Sequence, residues 1–277
     1  MDSKADKDYW DWCWSSEPIP RPVDLSDTRI RNHLRQSLHA YFADAFSRAA
    51  VDTQGAELIE IGCSRSIWLP HFAKLFHFRV SGIDYSEVGC AQARQMFDAH
   101  NNDNIGALVC GNAFDVRADL VGRFDVLFSN GFIEHFEATS DAIRSLSRHL
   151  CPGGIMITLI PNMAGLTGSM QKLLDKRIYD THVPLDAEGL ADAHRQAGLD
   201  VLDSRYLMTL GFNILKPTGL DRRSVITTIK RTLVFCLTAL SVMVWASERL
   251  LRWRCPSRTF SPYIAVIARL PAETDLK

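Results

Sequence analysis

The chain has 277 residues, of which 47% are hydrophobic, and a formal net charge of −1. This is enough for one sizeable α/β domain with additions, and the near-neutral charge argues against a nucleic-acid partner. The seven cysteines lack the paired spacing of zinc or redox sites, so buried, reduced thiols are expected. The polar start, 1–8, lacks the basic and apolar regions of a signal peptide, so a cytoplasmic location is expected.

The N-terminal segment combines aromatic residues with prolines. Four aromatic side chains lie within 9–14, and three prolines within 18–22 favour an extended path after them. An exposed aromatic cluster of this size is unfavourable, so we expect it to cover another part of the molecule. An arm packed on the edge of a sheet is one interpretation. The following segment, 29–49, has apolar residues at helical spacing and predicts a helix that leads into the core.

From residue 57 onward, apolar runs of strand length alternate with segments of helix length. The predicted strands cover 57–61, 78–83, 107–110, 124–129, 155–160, 200–207 and 263–268. The predicted helices cover 68–76, 87–100, 139–150 and 186–197. Pro152, Gly153 and Gly154 are expected to stop the third helix. The alternation predicts a parallel sheet surrounded by helices.

Two motifs in the first half predict a Rossmann-like cofactor site. The first, ELIEIGCSRS at 57–66, is an apolar strand that runs into Gly62, where the backbone can turn sharply under a ligand. The second strand ends on Asp84, whose carboxylate can accept hydrogen bonds from a ribose diol. Ser64 and Ser66 stand where a dinucleotide-binding motif has glycines, which disfavours close approach of a pyrophosphate. A nucleoside cofactor without phosphates, such as S-adenosylmethionine, suits this turn better.

These motifs and three later ones resemble, in order, those of the class I S-adenosylmethionine-dependent methyltransferases, in particular the small-molecule and quinone-type branch. The later motifs are LVCGNAFD at 108–115, RFDVLFSNGFIEHF at 123–136 and HLCPGGIMITLIPN at 149–162. The resemblance implies an α/β, Rossmann-like fold with a seven-stranded, mostly parallel sheet, helices on both faces and a final antiparallel hairpin. It also implies three parts, which are an N-terminal lid and helix at 1–50, a cofactor-binding domain at 51–208 with 260–270, and a helical insertion at 209–259.

The resemblance further implies which residues meet the cofactor and the substrate. Those expected at the cofactor are Glu60, Gly62, Ser64, Asp84, Tyr85, Asn112, Ala113, Asn130 and Gly131. Glu60 is expected near the amino-acid tail and Asp84 at the ribose hydroxyls. Asn112 is expected near adenine, where the family usually has an acidic residue instead. Those expected in a lid or beside the substrate are Tyr9, Trp10, Trp14 and Phe132.

Methyl transfer from a sulfonium is an in-line displacement, so the protein supplies alignment, a dry site and, for some acceptors, a base. His135 and His182 are the base candidates because both lie in loops expected at the carboxyl edge of the sheet. For each, an ordinary structural or solvent-exposed histidine is the alternative. No metal is expected, because no cluster of carboxylates falls in these loops. The predicted function is O-methylation of a small, apolar or lipid-linked acceptor. The alternatives are nitrogen or carboxylate acceptors, or an inactive cofactor-binding scaffold.

Residues 216–258 form a basic segment with nine Lys or Arg and two acidic residues. Its uncharged run, 232–247, would make a helix about 24 Å long, short of the roughly 30 Å hydrocarbon core of a bilayer. The polar residues fall on a narrow stripe of the helical wheel, and Trp245 and Trp253 are candidate interface anchors. The pattern predicts a helix at the inner membrane surface. Cover of an apolar substrate pocket and a homodimer contact are the alternatives.

Overall fold

The computed structural model describes residues 2–16, 18–98, 104–216 and 224–272. Seven strands form one sheet: β1 (Glu57–Ile61), β2 (Arg79–Asp84), β3 (Ile105–Cys110), β4 (Phe124–Asn130), β5 (Leu150–Pro161), β6 (Asp200–Leu207) and β7 (Tyr263–Arg269). The helices are α1 (Lys7–Ser16), α2 (His33–Arg48), α3 (Trp68–Phe76), α4 (Glu87–Asp98), α5 (Thr139–Ser147), α6 (Leu166–Leu174), α7 (Lys176–Asp180), α8 (Ala187–Gln196) and α9 (Val225–Leu251). Short 3₁₀ turns lie at Ile30–Asn32 and Ile133–His135.

The strands are arranged in the order β3-β2-β1-β4-β5-β7-β6. β7 runs antiparallel to β5 and β6, whereas the pairs among the first five strands are parallel. Ile61 pairs with Ile83 on β2 and with Ser129 on β4, so the carboxyl ends of these three strands lie side by side. The strand order reverses between β1 and β4, which opens a crevice where ligands bind in folds of this kind. The predicted sheet and its final hairpin are confirmed.

Helices cover both faces of the sheet. On one face, Phe42 and Phe46 of α2 and Phe72 of α3 form an aromatic cluster with the strands. On the other face, α5 and α8 bury Leu146 and Leu190. Full burial of an apolar side chain of this size stabilises the fold by about 1.5–3 kcal/mol. The two clusters cover the sheet on both faces beneath the crevice.

Several local predictions differ from the structure. α5 ends at Ser147, earlier than predicted, because Leu150 already pairs with Phe124 at the start of β5. The predicted stop at 152–154 therefore lies inside β5, where the pairing with β4 shifts register. The helix predicted over 87–100 is described as far as Asp98, and 99–103 lie outside the described residues. α1, α6 and α7 were not predicted. All seven cysteines are free, but only Cys63 and Cys90 are buried.

α9 has 27 residues and is longer than the uncharged run from which it was predicted. Within the described part of the chain, it is the one helix whose length and composition suit a membrane span. The polar stripe of this helix is turned partly toward the domain, where Thr227, Ser241 and Glu248 of the stripe are buried. Trp245, predicted as an interface anchor, is buried with them at 3% exposure. Residues 217–223 of the predicted insertion lie outside the described residues.

Candidate active site

A cavity of about 960 Å³ opens at the carboxyl ends of β1, β2 and β4. All nine residues expected at the cofactor line its walls, which are Glu60, Gly62, Ser64, Asp84, Tyr85, Asn112, Ala113, Asn130 and Gly131. They come from four loops that meet because parallel strands place their carboxyl ends at one edge of the sheet. The fold therefore brings together residues that are up to 71 positions apart in the sequence.

The turn after β1 passes close to the loop after β4. Gly62 has a φ of +75°, and a Cβ at this position would lie 2.9 Å from Cδ2 of Phe132. Both the left-handed backbone and the contact therefore require glycine. The N–H groups of Gly62 and Cys63 both donate to the carbonyl of Ile83, at 2.9 and 3.2 Å, which fixes the turn beside the end of β2.

Asp84 is held by the backbone at the end of β2. Its Oδ2 accepts a hydrogen bond from the N–H of Ser64 at 3.0 Å, and its Oδ1 accepts one from the N–H of Ser86 at 2.8 Å. Burial nevertheless raises the pKa of the carboxyl to about 6. An ionised carboxylate can accept further bonds on the side that faces the cavity. The two backbone bonds thus fix the orientation of the carboxylate at the cavity wall.

Ser64, which departs from the glycine pattern, is accommodated by a second glycine. A Cβ at Gly89 would lie 2.4 Å from the Oγ of Ser64. The absence of a side chain at the start of α4 therefore leaves room for the serine hydroxyl. This pairing could not be inferred from the motif, because the two residues are 25 positions apart.

Glu60 and Asn112 lie on opposite sides of Asp84. Glu60 is 2% exposed, and burial raises the pKa of its carboxyl to about 8, with the charge of Asp84 adding to the rise. Its Oε2 has no hydrogen-bond partner among the described residues. The Oδ1 of Asn112 accepts a bond from the N–H of Phe114 at 3.1 Å, and Phe114 also lines the cavity. Phe114 was not predicted as a site residue.

The aromatic N-terminal segment forms α1, which covers this end of the cavity. Ser86 donates a hydrogen bond to Asp11 of α1 at 2.5 Å, and the hydroxyl of Tyr85 donates to the carbonyl of Ala5 at 3.2 Å. Trp10 and Trp14 line the cavity and stack with ring centroids 5.3 Å apart. Tyr9 packs against Trp10 at 5.2 Å. α1 is thus anchored to the loop that carries Asp84.

Three ionisable groups meet beneath the cavity wall, at the turn after β4. The donor atoms of Glu134, His135 and His182 lie within 4.8 Å of one another. Nδ1 of His135 lies 2.7 Å from the carbonyl of Thr181, and Nδ1 of His182 lies 2.7 Å from the carbonyl of Ile178. A carbonyl accepts hydrogen bonds, so both Nδ1 atoms carry protons and both Nε2 atoms are acceptors. The two predicted bases are therefore neighbours, and His135 lines the cavity.

Glu134 was not predicted to matter beyond orienting His135. Neither of its carboxylate oxygens has a hydrogen-bond partner among the described residues, although the side chain is 1% exposed. Burial raises its pKa to about 8 and lowers the pKa of His135 to about 3. The cluster of Glu134, His135 and His182 can share a proton with a substrate hydroxyl. Its carboxylate oxygens and imidazole nitrogens are also atoms that bind divalent metal ions.

The far half of the cavity is cationic and was missed by the sequence analysis. It is lined by Arg21, Arg31 and Arg35 from the segment before and at the start of α2. On the inner side of α9, Thr238, Val242 and Trp245 complete the wall. No local motif marks these residues, because the wall forms only when α9 packs beside α2.

Comparisons with known proteins identify the family and the fold. A sequence-family model described as a methyltransferase domain matches residues 31–204. No curated protein matches the chain. A putative sarcosine dimethylglycine methyltransferase from Galdieria sulphuraria is similar in structure, with a TM-score of 0.58 and 15% identity over 96% of this chain and 98% of that one.

Two further solved structures have the same fold. Geranyl diphosphate C-methyltransferase from Streptomyces coelicolor, crystallised with S-adenosylhomocysteine, has a TM-score of 0.57 and 15% identity over 95% of this chain and 97% of that one. Phosphoethanolamine N-methyltransferase 2 from Haemonchus contortus, crystallised with S-adenosylmethionine, has a TM-score of 0.54 and 17% identity over 83% of this chain and 52% of that one. With the family match, these findings show that the chain belongs to the class I S-adenosylmethionine-dependent methyltransferases.

Proposed function

We propose that this methyltransferase moves the methyl group of S-adenosylmethionine to a hydroxyl oxygen of a small, apolar or lipid-linked acceptor. The observation that carries the proposal is that Asp84 and His135 line one cavity, whose wall also contains aromatic side chains such as Trp10 and Phe114. A carboxylate suited to a ribose diol and an acceptor for a hydroxyl proton are both needed, and both are present on one side of the sheet.

The cofactor half of the cavity supplies three kinds of contact. Asp84 would hold the ribose hydroxyls, Glu60 would face the ammonium of the amino-acid tail, and Ala113 with Phe114 would border the adenine. Asn130 and Gly131 would meet the methionine portion. The bound cofactor supplies an electrophilic methyl group. Trp10 and Trp14 then exclude water above it, which favours direct transfer to the acceptor.

The histidine pair would receive the proton of the acceptor hydroxyl. His135 is neutral at physiological pH because burial lowers its pKa to about 3, so its Nε2 is available as an acceptor. A base with so low a pKa is weak, and the adjacent carboxyl of Glu134 offers the compensation. Burial raises the pKa of Glu134 to about 8, so this carboxyl becomes ionised toward that pH. Its oxygens lie within 4.8 Å of the histidine nitrogens, and in the ionised form it would stabilise the imidazolium that forms as the hydroxyl proton is transferred.

The type of acceptor atom is inferred from the same three residues, Glu134, His135 and His182. The neighbours with the fold include a C-methyltransferase and an N-methyltransferase, so the fold leaves the acceptor atom open. A carboxylate acceptor needs no base, whereas a hydroxyl does. His135 at the cavity wall, with Glu134 and His182 beside it, supports the hydroxyl. In this proposal 1–50 forms the lid and entry helix, 51–208 with 260–270 binds the cofactor, and 209–259 shapes the acceptor side in a cytoplasmic enzyme.

The test is transfer of labelled methyl from S-adenosylmethionine to long-chain phenols, fatty acids and amines. We expect labelling of the phenols by the wild type and its loss in the double variant His135→Ala, His182→Ala. The control is His77→Asn, because His77 is exposed and its φ of +63° suits asparagine. Unchanged activity of the double variant, or labelling of fatty acids alone, would overturn the O-methylation proposal in favour of a carboxylate acceptor.

A further inference from the structure

α9 has two unlike sides, and its polar side is the one that packs on the domain. The Oγ of Ser241 accepts a hydrogen bond from the N–H of Phe212 at 2.9 Å. The Nε1–H of Trp245 donates to the carbonyl of Leu210 at 2.7 Å. These bonds satisfy buried polar groups that would otherwise be unfavourable in the interface. They fix the rotation of the helix about its axis.

Both ends of α9 are also tied to the domain. Near its start, Lys230 donates to the carbonyl of Leu174. Near its end, Arg249 donates to the carbonyl of Thr28 at 2.6 Å, and Glu248 lies 2.6 Å from Nε2 of His33. A helix held at both ends and in the middle lies along the domain surface. Its outward side therefore faces away from the domain over its whole length of about 40 Å.

The outward side is apolar. Its exposed large residues are Val225, Ile226, Ile229, Phe235, Leu240, Met243, Leu250 and Leu251. With 3.6 residues per turn, these residues cover about half of the helical wheel. Phe235 is 74% exposed, and in the most apolar stretch of the helix only 11% of residues are buried. Monomeric proteins rarely expose a continuous apolar face of this length, so a partner is expected to cover it.

The charges around this face identify the partner. Arg231 lies toward one end of the apolar face, Arg252 and Arg254 lie at the other, and all three side chains are exposed. The one acidic residue of α9 is Glu248, which is buried. In a two-fold dimer through this face, antiparallel helices would bring the cationic ends together without an acidic partner from the helix. An anionic bilayer instead matches both the apolar face and the cations around it.

We propose that the apolar face of α9 docks in the plane of an anionic lipid bilayer. The polar side of α9 has its hydrogen-bond partners in the domain, so this side does not have to face water. The face that enters the headgroup region is the one described above, with the arginines at its ends contacting lipid phosphates.

The same helix separates this face from the cavity. Thr238 and Val242 line the cavity, and each follows an exposed residue, Phe235 or Ala239, by three positions. Residues three apart are neighbours on a helix surface, so the cavity wall and the outward face meet along one edge of α9. An acceptor in the bilayer would therefore reach the cavity past the edge of α9. The cations at the far half of the cavity favour an acceptor with a phosphate or carboxylate group. We infer an anionic, membrane-anchored hydroxyl compound as the acceptor class, an inference that rests on the proposed function.

The experiment is flotation of the full chain with two kinds of vesicle. One contains phosphatidylcholine alone, and the other also contains phosphatidylglycerol. We expect binding to the anionic vesicles that weakens as salt is added. The variant Phe235→Ser, Met243→Ser should raise the lipid concentration for half-maximal binding by about tenfold or more. The matched control is Val121→Ser, Leu202→Ser, whose residues are 47% and 43% exposed away from α9.

Two further measurements distinguish a failure of membrane docking from a failure of the proposed function. Calorimetric binding of S-adenosylhomocysteine shows that each variant is folded, and the charge variant Arg231→Gln, Arg254→Gln tests docking without altering the apolar face. Wild type that stays out of both vesicle fractions, or that forms a dimer which Phe235→Ser, Met243→Ser dissociates, would overturn the proposal. Flotation without any binding of S-adenosylhomocysteine would instead refute the proposed function and leave docking established.

Discussion

Replacement of Asp84 by asparagine tests the cofactor site most directly. The carboxylate is 7% exposed, lines the cavity and is already aligned by the N–H groups of Ser64 and Ser86. Asparagine keeps the size of the side chain but removes the charge and one acceptor oxygen. The variant should therefore weaken S-adenosylhomocysteine binding with little change in the shape of the turn.

The expected loss follows from the energy of a hydrogen bond to a charged group, about 1.5–3 kcal/mol. This corresponds to a Kd raised about 10- to 150-fold. The dependence of the binding affinity on pH gives a second expected magnitude. Because burial raises the pKa of Asp84 to about 6, a falling pH neutralises the carboxylate in the free protein. A ligand that binds only the ionised form should then bind about tenfold more weakly at pH 5 than at pH 7.

The assay is calorimetric titration with S-adenosylhomocysteine at several pH values from about 5 to 7. The range stops there because the pKa of Glu60 is raised to about 8, so Glu60 stays protonated in the free protein throughout. We expect Asp84→Asn to show weak binding that does not change over this range. Exposed Asp98→Asn is the control, and thermal unfolding shows whether each variant is folded. A wild-type Kd that is flat with pH, or an Asp84→Asn variant that binds normally, would refute the assigned role.

Three further predictions concern the walls of the cavity. Gly62→Ala should lower the melting temperature and weaken cofactor binding, because the φ of Gly62 is +75° and a Cβ would lie 2.9 Å from Phe132. An unchanged melting temperature together with an unchanged Kd would contradict this steric argument. Trp10→Ala should raise the Kd for S-adenosylhomocysteine about tenfold, whereas Trp12→Ala, at a residue 53% exposed, should not; equal effects would argue against a lid. Treatment with a chelator should leave methyl transfer unchanged, and a loss restored by Mn²⁺ would instead assign a metal to the group at Glu134.

Central strands such as β1 and β4 could be predicted because burial on both faces leaves an apolar run in the sequence. Asp84 and Gly62 were found for a related reason, since each lies where such a run ends. α1 was missed because a helix of 10 residues is weakly specified by its own sequence. Its position depends on contacts such as Asp11 with Ser86, 75 residues away. No local pattern contains that information.

The same limit explains why the orientation of α9 on the domain was not predicted. A polar stripe on an apolar helix ordinarily faces water, and the sequence contains nothing to say otherwise. The stripe is turned inward because the backbone at 210–212 and the side chain of His33 provide its hydrogen-bond partners. His135 and His182 were each found in a loop, but their contact was not. It depends on the bond from the N–H of Val183 to the carbonyl of Glu134 at 2.7 Å.

The distribution of charge in the cavity gives a physical reason for its two halves. In the cofactor half Asp84 is the ionised acidic group near neutral pH, because the pKa of Glu60 is raised to about 8, whereas Arg31 and Arg35 line the other half. A cationic sulfonium cofactor is attracted to the first half and an anionic acceptor to the second. Methyl transfer removes the positive charge from sulfur, so the attraction of the acidic half for the cofactor product decreases at the step that completes the reaction. Charge separation across the cavity would thus both orient the two substrates and favour exchange of the spent cofactor.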